Sequence, residues 1–351
     1  MSRSTARTVV AHETLPVRVL LGPGARHRIP EELAGLGARR VLLVSAGSAK
    51  SAADELAGAL GPRLAARFGR PAVHTPAGVT EEAMEVVRES AADAVVALGG
   101  GSAVGLAKAL SARTGMPQLA VPTTYAGSEA TPVLGETEDG VKTTRRDPAL
   151  APGTVVYDPE LTLTMPPGLT LTSALNALAH AVEALWAPDA NAATDALAAE
   201  AAEGVLAALP EVLREPAGLA GRIRLQESAW LAGLCLAQTR TGLHHQLAHA
   251  LGGAFDLPHA ELHALLLPHV LAFNLPWAPG AAARLRRITG GDPVAVVGRL
   301  ARGHDGPTTL GALGVPRDAL RTVAERVADR PYPNPRTPDA DSVTRLLEDA
   351  W

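Results

Sequence analysis

Short runs of uninterrupted apolar residues mark the first half of the chain and give way to long helical periodicity in the second. Residues 41–44, 94–98, 119–121 and 155–157 lack the apolar/polar alternation of a strand with one wet face. Runs of that kind are how strands covered on both faces read. Residues 17–21, ahead of Gly22-Pro23-Gly24, form a further strand candidate. Stretches 82–92 and 102–114 have helical composition, so strands and helices alternate and predict a parallel sheet with right-handed crossovers. After Asp158-Pro159 the pattern changes. Met165-Pro166-Pro167-Gly168 reads as a hinge, and 171–186, 192–213, 221–236, 242–251, 258–271, 279–289, 292–302 and 337–350 read as helices. The β-branched run 294–297 follows a proline at a helix start and stays helical. Thr337 reads as the N-cap of the closing helix, with Pro338 at its first position. The expected fold is an α/β dinucleotide-binding domain over residues 1–164 followed by an all-α catalytic domain over 165–351.

Composition narrows the function classes. A chain of 351 residues suits two domains, and 47% hydrophobic content is enough for a packed core. A net charge of -4 gives no basic footprint for nucleic acid. Cys235 is the one cysteine, so neither a disulfide framework nor a cysteine zinc site is expected. No apolar run approaches the ~18 residues that span a membrane, and residues 1–14 lack a signal-peptide core. These features predict a cytoplasmic protein acting on a small molecule, with no nucleic-acid or membrane partner.

Two loops leave the carboxyl ends of neighbouring strand candidates, where open α/β sheets bind ligands. One is Gly99-Gly100-Gly101-Ser102, running into a helix whose N-terminal N–H groups and dipole suit a pyrophosphate. It is not the G-x-G-x-x-G fingerprint, and a tight turn without a ligand is the alternative reading. The other is the stretch 122–129, whose Thr123, Thr124 and Ser128 hydroxyls suit phosphate or amide groups; a helix N-cap at Ser128 is the alternative. Lysines are scarce. Lys142 joins the cofactor candidates, and Lys108 is either near the phosphates or a solvated surface residue.

Of eleven histidines, six fall between His244 and His269. His245 and His249 are four apart and share a helix face, as do His259 and His263, and as do Asn176 and His180 on an earlier helix. Gly252-Gly253 is expected to end the first histidine helix, and Pro258 to start the next. Imidazoles on three facing helices suit either a divalent metal held by His180, His245 and His259, or uncoordinated acid and anion-binding work near neutral pH. His12, His27, His74 and His304 read as ordinary core or surface residues.

Taken together, Gly99-Gly100-Gly101-Ser102, Pro122-Thr123-Thr124, Asn176-x-x-x-His180 and His245-x-x-x-His249 through Pro258-His259 resemble the iron-containing alcohol dehydrogenase superfamily. The stretches 123–129, 157–161, 176–185, 243–245 and 331–336 resemble its maleylacetate reductase branch. The resemblance covers nearly the whole chain. It implies a dehydroquinate-synthase-like fold, a homodimer, and NADH- or NADPH-dependent reduction of maleylacetate to 3-oxoadipate in aromatic degradation. It also implies catalytic roles for His249 beside the nicotinamide, with His245, His259, His180 and Asn176 assisting. Asn176 stands where metal-binding members place an aspartate, so iron or zinc is expected not to be required. Ala46 stands where NAD-preferring members often carry an acid, which leaves NADPH open beside NADH. Gln246 and Ala248 stand where the branch commonly has lysine and cysteine. That departure keeps open another unsaturated ketone or aldehyde as substrate, with Arg145, Arg240 and Arg336 as other carboxylate holders. A lyase or cyclase on the same fold, and a binding protein without turnover, are the remaining readings; imidazoles on three helices speak against the last.

Overall fold

The computed structural model describes residues 14–138 and 141–351, so His12 and most of the N-terminal stretch read above lie outside it. The apolar runs become β2 (Val41–Ser45), β4 (Ala94–Gly99), β5 (Gln118–Pro122) and β8 (Thr154–Tyr157), every residue of them buried. With β1 (Arg18–Leu21) and β3 (Leu64–Phe68) they form a six-stranded sheet in the order β1-β8-β5-β4-β2-β3. All its pairs are parallel. Helices α1 (Ile29–Gly35) and α2 (Lys50–Leu60) cover one face of the sheet; α3 (Ala77–Ser90) and α4 (Gly101–Thr114) cover the other. An antiparallel hairpin, β6 (Val133–Glu138) with β7 (Val141–Arg146), stands apart from the sheet.

Beyond β8 the described residues are helical: α5 (Pro167–Ala184), α6 (Ala192–Arg214), α7 (Leu219–Gln238), α8 (Leu243–Phe255), α9 (His259–Asn274), α10 (Pro279–Thr289), α11 (Pro293–Ala301), α12 (Ala319–Ala328) and α13 (Ala340–Asp349). Residues 294–297 do lie in a helix, α11. Helix α5 is buried on all sides at the centre of the bundle, every residue from Thr170 to Ala184 being buried, and one face carries the polar Asn176, His180 and Glu183. It packs among α6, α7 and α9. Small residues set the spacing there: a Cβ on Gly204 of α6 would lie 2.1 Å from the Ser228 hydroxyl of α7. None of the described helices is long and apolar enough to cross a membrane.

Several local expectations need correction. Helix α8 does not end at Gly252-Gly253; it continues to Phe255 and closes on Asp256 in the left-handed region, φ 50. Asparagine and aspartate tolerate that conformation because a short polar side chain bonds locally. The N-cap of α13 is Asp339, not Thr337: its carboxylate accepts the Ser342 N–H at 2.8 Å in a reciprocal capping box. Met165 to Gly168 belongs to the entry of α5, with Pro166 as N-cap and Pro167 in the first turn. Ser128 is not an N-cap; Gly127 precedes a 3-10 turn over Ser128–Ala130.

Lys108 is neither at a phosphate nor solvated. It is fully buried on α4, and its ammonium donates to the carbonyls of Ser128 at 2.6 Å, Thr131 at 2.7 Å and Val133 at 2.9 Å, and to the Thr131 hydroxyl at 3.0 Å. Burial pushes its pKa down to about 7. Oxygen acceptors of this kind are what a desolvated cation requires, and here they pin the end of the hydroxyl loop to the helix that follows the glycines.

Candidate active site

The glycine turn is built as a backbone cradle. Gly99 ends β4 at φ +152, and its carbonyl accepts the Thr123 N–H at 3.0 Å, tying the two loops together. Gly100 is the N-cap of α4 and offers no side-chain cap; its carbonyl accepts the Ala103 N–H at 3.1 Å, and the Gly101 and Ser102 N–H groups precede the first intrahelical bond. A Cβ on Gly100 would lie 3.1 Å from the Thr124 methyl and 3.2 Å from its hydroxyl. Gly101, Ser102, Thr123 and Thr124 are not fully buried and rim the same turn. These are the attributes of an anion cradle: free amides, a helix dipole and no side chain in the way. They fit the pyrophosphate of a dinucleotide. Lys142 pairs through its backbone with Thr137 in the hairpin, and its side chain lies outside the described atoms.

The hydroxyl loop carries the cradle toward the helices. The Tyr125 N–H donates to the Ser173 hydroxyl of α5 at 2.9 Å. Gly127, at φ +77, backs onto His180: a Cβ there would lie 3.4 Å from His180 Nδ1 and 3.4 Å from Gly233 of α7. The loop that borders the cradle at one end therefore touches the imidazole cluster at the other.

That cluster is continuous. The His180 ring stacks on His245 at 5.1 Å; His245 meets His263 at 5.0 Å and His249 at 6.1 Å; His259 meets His263 at 4.3 Å and His249 at 6.2 Å. His244 completes it, with Nε2 hydrogen-bonded to His263 Nδ1 at 2.8 Å. Exposure is graded. His180, His244, His245 and His263 are buried, whereas His249 and His259 reach solvent. Asn176 lies one turn before His180 on the same face of α5 and is also buried. Several buried polar atoms have no hydrogen-bond partner among the described residues: Asn176 Oδ1, His180 Nδ1, His245 Nε2 and His263 Nε2. Unpartnered groups at this density call for a polar guest.

Sequence reasoning gave no role to Glu183, the acid beneath the cluster. Its Oε2 accepts from His245 Nδ1 at 2.6 Å and from the Gly242 N–H at 2.9 Å, and its Oε1 accepts the His244 N–H at 2.9 Å. The signal was present in the spacing, since Asn176, His180 and Glu183 fall at i, i+4 and i+7 and share one face of α5. His74, read as an ordinary residue, sits with Thr75 in two successive left-handed conformations, φ 61 and 46. Its ring is 3.9 Å from the Asp256 carboxylate at the end of α8. Arg145 and Arg240 are exposed and engage Asp147 and Asp189, and Arg336 covers the Phe273 ring at 4.2 Å. Two surface cavities, about 50 Å³ beside Arg26 and Leu98 and about 310 Å³ beside Arg224 and Trp230, are lined by none of the clustered imidazoles.

Among the described residues no three His, Cys, Asp or Glu side chains are grouped to hold an ion. At Asn176 an amide oxygen stands where a carboxylate would bring charge, and His259 packs against His249 and His263.

Burial pushes the pKa of His180 and His263 well down and that of His244 down to about 3, with neighbouring imidazoles adding to each shift. Groups whose folded pKa is depressed from ~6.5 bind fewer protons folded than unfolded, so stability is lost as pH falls below that value. Each such imidazole contributes a slope approaching about 1.4 kcal/mol per pH unit. The urea midpoint is therefore expected to drop between about pH 6.5 and 5, above the range where carboxylates titrate. A flat midpoint there would show that the cluster accepts protons in the folded state.

Comparison with known proteins follows the same lines. Residues 16–159 match the family model for iron-containing alcohol dehydrogenase, and residues 170–351 match that for the C-terminal part of the Fe-containing alcohol dehydrogenase family. The chain is 43% identical over 340 residues to a maleylacetate reductase of Sphingobium indicum, covering 97% of this chain and 96% of that one. It is 44% identical over 340 residues to a maleylacetate reductase of a Rhizobium species, covering 97% of each. The crystal structure of maleylacetate reductase from Agrobacterium tumefaciens superposes with a TM-score of 0.93 at 42% identity, covering 98% of both chains.

Proposed function

The chain belongs to the iron-containing alcohol dehydrogenase family, a family of oxidoreductases, and from that premise we propose that it reduces maleylacetate to 3-oxoadipate with NADH or NADPH, without a metal. The observation that carries this reading is the junction at Gly127, where the loop bordering the phosphate cradle abuts a six-membered imidazole cluster. The 43% identity to a maleylacetate reductase over nearly the full length of both chains supports the choice of substrate. The reading includes a division into two domains at Met165, a homodimer and a cytoplasmic location.

The reaction adds a hydride and a proton across an alkene conjugated to a ketone. Gly99 to Ser102, with Thr123, Thr124 and Ser128, would hold the pyrophosphate of a reduced nicotinamide dinucleotide, which would supply the hydride for the carbon β to the ketone. The alkene electron pair then moves onto the ketone oxygen as an enolate. The chain must stabilise that oxygen and protonate the α carbon. His245 and His180, buried side by side, face the enolate together with Asn176, whose amide offers a donor without adding charge. His249 and His259, reaching solvent at the outer end of the cluster, resupply the proton consumed in each turnover. Burial holds the pKa of His180 well down, so its neutral ring offers an uncharged N–H donor, a role in which a pKa held low is an advantage.

Protein treated with EDTA is expected to oxidise NADH or NADPH when maleylacetate is added, at a rate unchanged by iron or zinc. Absorbance of each cofactor measured separately gives the preference that Ala46 leaves open. Activity that appears only with added metal would overturn the metal-free site. Silence with both cofactors before and after metal would reject maleylacetate and favour another enone, in keeping with Gln246 and Ala248.

A further inference from the structure

We infer that Glu183 is a positioning residue that locks His245 in the Nδ1–H tautomer and thereby aims the Nε2 lone pair into the active site. The inference rests on the reading of the imidazole cluster as the reaction site, and the hydrogen bonds carry it. Backbone amides can only donate, and two of them, Gly242 and His244, donate to the two oxygens of Glu183. Glu183 therefore presents both oxygens as acceptors, the arrangement that an ionised carboxylate fills best. Burial alone would raise its pKa, yet the His245 bond and the surrounding donors hold it below the usual value. The 2.6 Å contact to His245 Nδ1 then requires the proton on that nitrogen. In the neutral ring the other nitrogen is left with its lone pair, and Nε2 is buried with no partner among the described residues.

The same carboxylate fixes where the ring stands. Helix α8 begins at Gly242, which has no side chain to cap it, and Glu183 caps it from α5 instead. The N-terminal dipole of α8 favours an anion there. The C-terminal segment closes the other side: the Leu243 N–H donates to Asn334 Oδ1 at 3.2 Å. A Cβ on Gly242 would lie 2.8 Å from the Pro333 carbonyl, 3.0 Å from Asn334 Oδ1 and 3.1 Å from Glu183 Oε1. Only glycine fits, so the helix start, the acid and the imidazole are assembled as one unit. His245 can then donate from Nε2 only as an imidazolium, whose charge Glu183 balances, and returns to a lone-pair acceptor once the proton has gone.

The test uses the full chain with 15N-labelled histidine in mildly alkaline buffer, His245 being assigned by the resonance missing from His245→Asn. Wild type is expected to show a protonated Nδ1 and an unprotonated Nε2, and Glu183→Gln to lose that preference. Activity with maleylacetate is expected to fall about 10–100-fold in kcat in Glu183→Gln, the scale of losses from supporting partners of a site imidazole. KM for the cofactor should stay near wild type, and Glu183→Asp should recover part of the loss. A wild-type His245 protonated at Nε2 would overturn the inference, as would a fall in kcat with the tautomer unchanged. The spectrum needs no substrate, so it decides the point even if Glu183→Gln fails to fold or maleylacetate proves not to be turned over.

Discussion

Exchanging His245 for asparagine is expected to lower kcat for maleylacetate reduction by about 10²–10⁴-fold, the range for loss of a positioned proton donor. Asparagine is the informative replacement. Its amide N–H can take the place of Nδ1–H and keep the bond to Glu183, so the buried carboxylate is not left unpaired. An alanine would leave it so, at a cost of about 3–5 kcal/mol that would confuse catalysis with folding. What asparagine lacks is the second nitrogen, the one that faces the site without a partner. Cofactor affinity should change little, because the phosphate cradle belongs to β4 and α4 rather than α8. Steady-state kinetics with a parallel fluorescence titration of NADH or NADPH measures both. A kcat within tenfold of wild type would move the proton donor to another member of the cluster. His180 would then be the first alternative, since its ring stacks on His245 and its Nδ1 is also unpartnered.

The sequence made some of these elements plain and hid others for physical reasons. Strands β2, β4, β5 and β8 could be read because each is covered on both faces, with polar residues such as Ser45, Gln118 and Thr154 only at strand ends, where they do not break the apolar run. Strand β3 could not: it lies at the sheet's edge, and its Arg67 reaches out to Asp54 at 2.7 Å. The β6–β7 hairpin stands off the main sheet, and its Glu, Thr and Arg residues mimic a loop. Helix α8 runs through Gly252-Gly253 because tertiary packing outweighs the roughly 1 kcal/mol that each glycine costs a helix. The imidazoles announced themselves by number and spacing. Glu183 did not, because its role exists only once α5 lies against the start of α8, and no local pattern records that meeting. Lys108 misled for the same reason. A lone lysine near a glycine turn resembles a phosphate ligand until the loop carbonyls close around it.

The cradle gives the second large effect. Gly100→Val is expected to weaken binding of NADH or NADPH by about 10²–10³-fold while leaving the fold nearly intact. The backbone at Gly100, φ -85 and ψ -161, is extended and open to any residue, so the substitution carries no conformational strain. Its Cβ would come within 3.1 Å of the Thr124 methyl, a contact that a small shift of one partly exposed side chain relieves. The rest of the valine would occupy the approach to the first-turn amides of α4. Hydrogen bonds to a charged phosphate contribute about 1.5–3 kcal/mol each. Losing one or two gives the stated range, at 1.4 kcal/mol per tenfold. Gly99→Val makes the contrast, because at φ +152 a side chain is strained and its Cβ would press on Ala103 at 3.1 Å. That variant should lose thermal stability as well as affinity. Melting temperature and cofactor titration, measured on both, separate the two causes. Wild-type affinity in a folded Gly100→Val protein would mean that the pyrophosphate does not lie on this turn, and the cofactor would then have to be sought along the Thr123-Thr124 rim alone.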